Sequence, residues 1–173
     1  MVKMLKIITS VIAILVLLLA GCSAGSEPSA PSVAREGGQT PGFQLQSLEG
    51  QTISLSKFQG RPVLINFWAV WCPPCRAEMP HLQQIYEEWS GKGLVLLTIN
   101  MGDSPSQVKE FLQSNKLSLP VLFDTKGDVA NKYNIVAIPT SFFIDKDGII
   151  QEKVVGAFPN KSTIEDLLKK IVP

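Results

Sequence analysis

Two cysteines stand three positions apart in "FWAVWCPPCRAEMP", Phe67 to Pro80, with two prolines between them. Thiols at this spacing can ligate a metal, hold a haem, staple a loop, or cycle between dithiol and disulfide. Haem attachment through C-x-x-C-H needs histidine next, and the chain has Arg76. Structural zinc takes four ligands; here Cys72, Cys75 and His81 are the plausible soft ligands, with no second cysteine pair. A disulfide across so short a loop removes little chain entropy and makes a poor staple. Redox cycling fits the setting, because Cys72 falls where an apolar strand-like run gives way to a helix-like run. Backbone N–H groups and the positive end of a helix dipole favour a thiolate there. Cys72 is then the attacking thiol, and Cys75, one turn inside the helix, resolves the mixed disulfide. Pro73 and Pro74 suit a first helical turn and offer no N–H to the Cys72 sulfur, so the nearest remaining donor is that of Cys75. Fewer donors mean a less stabilised thiolate, which predicts a reducing couple.

The flanking sequence supplies the elements that must hold this pair. "RPVLINFWA" is a continuous apolar run, as expected of a central strand buried on both faces. Pro73 to about Ser90 follows as a helix, with Leu82, Ile85, Tyr86 and Trp89 on one face, Pro80 kinking it, and Gly91 and Gly93 ending it. Before the site, "GFQLQSLEGQTISLSKFQG" reads as a β-hairpin about Glu49-Gly50 with a helical turn at Leu55 to Phe58. After it come a second buried strand, "GLVLLTINM", and a helix capped by Ser104 with Pro105 at its first position and Val108, Phe111 and Leu112 inward. A short strand "LPVLFD", a short helix from Lys126 to Tyr133, a hairpin "TSFFID"–"KDG"–"IIQEKVVG" and a closing helix from Lys161 with Ser162 as cap complete the chain. Strands alternating with helices and a terminal hairpin predict an α/β fold, a mixed sheet with helices on both faces. "DTKGD" and "DKDG" echo calcium-loop spacing without its closing glutamate and read as turns, so no metal is expected.

The chain has 173 residues, 45% hydrophobic and 18% charged, with a formal charge of +1. Part of the apolar content lies in "MVKMLKIITSVIAILVLLLAGC", where Lys3 and Lys6 precede a run from Ile7 to Ala20. That is the pattern of an export leader, and the run is short for a membrane span. Leu19-Ala20-Gly21-Cys22 resembles the bacterial lipobox, which implies lipidation of Cys22 and a membrane-anchored chain working outside the cytoplasm. The expected divisions are a signal peptide at 1–21, a flexible Ser/Ala/Pro/Gly-rich tether at 22–40 and one domain at 41–173. Removing Lys3 and Lys6 from the 16 basic residues leaves 14 against 15 acids, near −1. No basic stripe points to nucleic acid.

"NFWAVWCPPC" resembles the thioredoxin superfamily. With the glutamate and proline of "CRAEMP", the extra strand–helix segment from Asn100 to Lys116 and "IVAIPTSFFIDKDG", the chain is similar to the TlpA/ResA-type branch of membrane-tethered thiol–disulfide oxidoreductases. The resemblance implies a thioredoxin-like fold with an N-terminal hairpin and a strand–helix insertion. It implies a cis Ile138-Pro139 bond lying against the cysteines, with Ile138 and Pro139 contacting substrate. It makes Glu78 an active-site acid able to exchange a proton with Cys75. Ordinary thioredoxin carries a buried Asp where this chain has Asn66; an amide cannot titrate, which adds weight to Glu78. Trp71 is expected over the sulfurs as an apolar contact surface, Trp68 in the core, and His81 on the surface or packed against the helix. The resemblance further implies no cofactor beyond the Cys72–Cys75 couple, a disulfide-containing exported protein as substrate, apocytochrome c among the candidates, and a membrane electron donor of the CcdA/DsbD type. A monomer is expected.

Two other functions compete. A peroxiredoxin-like peroxidase would need its cysteine in a P-x-x-x-T-x-x-C context, which the sequence lacks. A membrane-tethered binding module with an inert disulfide would have no reducing activity to lose on Cys72→Ala or Cys75→Ala.

Overall fold

The computed structural model describes residues 33–172. Seven strands and four α-helices follow one another as β1 (Gln44–Ser47), β2 (Thr52–Ser54), a 3-10 turn (Leu55–Phe58), β3 (Val63–Trp68), α1 (Pro73–Trp89), β4 (Val95–Asn100), α2 (Pro105–Ser114), β5 (Val121–Phe123), α3 (Asp128–Lys132), β6 (Thr140–Ile144), β7 (Ile150–Val155) and α4 (Lys161–Leu168). One sheet contains all seven strands in the order β2-β1-β5-β4-β3-β6-β7. β3 is parallel to β4 and β4 to β5, while β1, β2, β6 and β7 pair antiparallel. The expected mixed sheet with helices on both faces, N-terminal hairpin and inserted strand–helix unit is the fold observed. The leader and Cys22 lie outside the described residues. Within them no helix is long and apolar enough to cross a membrane.

Every residue of β3 is buried, and strand alternation divides them between two cores. Leu64 and Trp68 join Met79, Leu82 and Ile85 of α1, Val108, Phe111 and Leu112 of α2, and Ile164 and Leu168 of α4. Val63, Ile65 and Phe67 face the other way, onto Val129 and Ala130 of α3 and onto Phe43, Tyr133 and Phe142. The asymmetry follows from helix length. Three of the four helices present long apolar stripes and share one face; α3, only five residues long, covers the other with help from the hairpin.

Several expected boundaries move. The domain begins before Pro41: the Ala34 N–H donates to the Lys132 carbonyl, the Gly37 N–H to Ile150, and the Ile150 N–H to Gly38. β7 is the edge strand of the sheet, with unpaired backbone groups on its outer side, and the 33–40 segment satisfies part of that edge. The tether expected at 22–40 is therefore too long at its C-terminal end. The cap of α4 is Asn160, not Ser162: its side-chain oxygen accepts the Thr163 N–H at 3.0 Å, because the helix starts at Lys161 and a cap must stand just before it. α4 ends at Leu168. α3 is shorter than Lys126–Tyr133 because Gly127, at φ 72°, breaks the helical backbone before it. Ser104 does cap α2, in a reciprocal capping box with Gln107.

Candidate active site

Cys72 and Cys75 form a disulfide, with Cα atoms 5.3 Å apart. Cys72 is the N-cap of α1, in extended backbone, and its sulfur accepts the Cys75 N–H at 3.2 Å. Pro73 and Pro74 fill the first helical positions, so Cys75 supplies the donor, as the sequence implies. Cys75 is fully enclosed and Cys72 is 3% exposed, so Cys72 is the more accessible residue of the pair.

Two further segments close on the pair. The Ile138–Pro139 peptide is cis, and Cys72 Sγ lies 3.7 Å from the Ile138 carbonyl oxygen. Pro139 is buried, and its carbonyl accepts the Gly156 N–H at 2.8 Å, which ties this segment to the end of β7. Thr140 Oγ1 donates to the Ala137 carbonyl at 2.7 Å and fixes the turn from within. Trp71, immediately before Cys72, is 67% exposed, and Val136 is 80% exposed. The Trp71 indole is therefore not part of the core. Trp68 is fully buried, as expected, and His81 is half-buried on α1.

Glu78 lies three residues beyond Cys75 and is completely buried. Its Oε1 accepts from Asn66 Nδ2 at 2.8 Å and its Oε2 from the Phe158 N–H at 2.9 Å. Among the described residues no cation pairs with it. Burial pushes the carboxyl from 4.5 up to about 7, against the Phe158 N–H and the Asn66 amide, which both pull it down. A carboxyl titrating near neutrality can take up or release a proton at physiological pH.

The sequence reading did not identify two supports. Asp103 is nearly buried and accepts the Val70 N–H at 2.7 Å and Asn100 Nδ2 at 2.8 Å, which anchors the turn leading to Cys72. No local sequence signal marks it, since the contact spans 33 residues. Ser141 accepts from Asn66 Nδ2 at 2.9 Å across the β3–β6 pair. A polar residue inside the apolar run "VLINFW" hints that it needs a partner, but not which one.

Comparison with known proteins places this arrangement among relatives in sequence and in structure. The thiol–disulfide oxidoreductase ResA of Bacillus thuringiensis subsp. konkukian is 36% identical over 137 residues, 79% of either chain. A thiol:disulfide interchange protein of the thioredoxin family from Chlorobium tepidum superposes with a TM-score of 0.72 at 26% identity, over 82% of this chain and all of that one. StoA from Bacillus subtilis superposes with a TM-score of 0.65 at 29% identity, over 81% of this chain and 98% of that one. Residues 37–153 match the AhpC/TSA family. With its cysteine pair at the start of α1 on a thioredoxin-like sheet, the chain belongs to the AhpC/TSA family and, within it, to the thiol–disulfide oxidoreductases of ResA type.

Proposed function

We propose that this oxidoreductase works outside the cytoplasm, tethered to the membrane through a lipidated Cys22, and reduces disulfides in exported proteins. The observation that carries the reading is the setting of Cys72: a helix N-cap whose sulfur takes its backbone donor from Cys75, behind two prolines that have none to give. In the reduced protein the Cys72 thiolate attacks one sulfur of a client disulfide and expels the other as a thiolate. The Cys75 thiolate then attacks Cys72 Sγ, forms the Cys72–Cys75 disulfide and releases the second client sulfur. Two electrons pass from the protein dithiol to the client. Glu78 accepts the Cys75 proton as that thiolate forms and returns it when the dithiol is restored. Trp71, Ile138 and Pro139 form the contact surface for the client. A membrane dithiol donor of the CcdA/DsbD type reverses the two exchanges and recharges the protein. Oxidised apocytochrome c fits as a client, since its haem-binding cysteines must be reduced before haem attachment.

The reduction potential of a chain starting at residue 33, equilibrated in dithiothreitol or glutathione buffers, tests the direction. The expected value is about −250 mV or below, beside thioredoxin at about −270 mV. A value near about −120 mV would match a strong oxidant instead and make the protein a disulfide donor.

A further inference from the structure

β3 is apolar except at one position. Asn66 is completely buried in the middle of the strand and stands opposite Ser141 on β6. Its Nδ2 carries two protons and uses both, one to Glu78 Oε1 and one to Ser141 Oγ. Its Oδ1 is enclosed and receives no donor. A buried acceptor without a donor is costly, since it has given up its water. The facing group explains why this orientation holds: an ionised carboxylate only accepts, and a turned amide would set oxygen against oxygen.

A proton on Glu78 changes the count. The carboxylic acid has an O–H to give, and an amide facing it with N–H groups has no use for that hydrogen. Turned by half a rotation, the amide presents Oδ1 to the Glu78 O–H. Ser141, whose hydroxyl both donates and accepts, then directs its own O–H to the same oxygen. The three groups thus have two arrangements: one for the carboxylate, which leaves Oδ1 without a donor, and one for the acid, which satisfies the Glu78 O–H and moves the Nδ2 hydrogens into the enclosed place that Oδ1 held. We infer that Asn66 is a positioning residue whose side-chain amide reverses as Glu78 gains or loses its proton, with Ser141 as the hydroxyl that turns with it. The inference rests on the reading of Glu78 as the proton-carrying group of the site. No covalent bond between heavy atoms changes: one proton joins or leaves Glu78 Oε1, exchanged with Cys75 or solvent, and two hydrogen bonds reverse direction. Ser141 lies two residues beyond Pro139, so one end of this chain of groups sits in the strand that follows the client-facing segment.

Burial is the main influence on the carboxyl, and the Phe158 N–H and the Asn66 amide act against it. β3 presents the neutral Asn66, β6 the neutral Ser141, and the segment after β7 the Phe158 N–H. On α1 the neighbouring titratable groups are Cys72 and Cys75, once reduced; Arg76 is exposed and His81 half-buried. α4 also packs on α1, but its Lys161 is bonded to Glu88, ten residues along and about 15 Å farther down the helix.

Side-chain NMR of the oxidised protein, labelled with carbon-13 and nitrogen-15, tests the inference across pH 4.5 to 9. The Asn66 Nδ2 resonances should move with the same midpoint as Glu78 Cδ, near about 7. That movement should vanish in Glu78→Gln. Ser141→Ala should displace the shared midpoint by about half a unit to one unit, the equivalent of one hydrogen bond. Asn66 resonances that stay still while Glu78 titrates would overturn the inference, and the wild-type protein alone suffices for that comparison. An unchanged midpoint in folded Ser141→Ala would remove Ser141 from it. If Asn66 follows Glu78 but Glu78→Gln exchanges disulfides at the wild-type rate at every pH, the coupled amide stands and the catalytic reading of Glu78 falls.

Discussion

Replacing Glu78 by Gln should change how stability depends on pH, by an amount that follows from the site. Burial raises the carboxyl from 4.5 in the unfolded chain to about 7 in the folded one. Between those values the folded protein holds a proton that the unfolded chain has released. Stability therefore falls as pH rises through this window. Each unit of difference is worth 1.36 kcal/mol, so a displacement of about 2.5 units amounts to about 3 kcal/mol. Below the unfolded value the contribution is fully present; above the folded value it is gone. Glutamine does not titrate, and every other titrating group is common to both proteins. Guanidinium unfolding of the oxidised wild type and of Glu78→Gln at pH 4, 5.5, 7 and 8.5 isolates the effect. The wild type should lose about 3 kcal/mol relative to the variant between the two ends of the series. The loss of one acceptor in glutamine adds an offset that does not vary with pH. A difference that stays level across the series, or that moves in the wild type's favour as pH rises, would refute the assignment of a neutral buried acid.

Four other substitutions probe the rest of the site. Cys72→Ala should abolish disulfide reduction, whereas Cys75→Ser should accumulate a mixed disulfide through Cys72, visible as a mass adduct on non-reducing gels, because the resolving thiol is lost. Trp71→Ala should raise KM for a protein disulfide while leaving the unfolding midpoint within about 0.5 kcal/mol of wild type, since the indole is 67% exposed and outside both cores. Asp103→Ala should cost about 1–3 kcal/mol in chemical denaturation, because it strands the half-buried Val70 N–H and the buried Asn100 amide, and should speed amide exchange at Val70 and Trp71.

Much of this protein is legible along the chain because the signals are local. The apolar run of β3, the Ser104 capping box and the glycine at the Glu49-Gly50 turn each specify backbone geometry within a few residues. So does Cys72: one strand ending and one helix beginning suffice to place a sulfur on the helix N-terminus. Errors arose where a boundary depends on distant chain. Gly37 and Gly38, following a Ser- and Pro-rich stretch, make residues 33–40 look like more tether, yet the exposed edge of β7, more than 100 residues later, pairs with them.

The sequence alone determined that a thiol pair sits at a strand–helix junction and that Glu78 follows it by one turn. It could not determine what meets that carboxyl. Glu78 is the commonest kind of helix-face residue until β3, β6 and the segment after β7 fold over it and remove its water. Only then do Asn66, Ser141 and the Phe158 N–H, distant by 12 to 80 residues, become its surroundings. The physical reason is that desolvation belongs to the assembled core: a pattern of residue types can place a carboxyl on a helix, but only packing from several elements at once can raise its proton affinity.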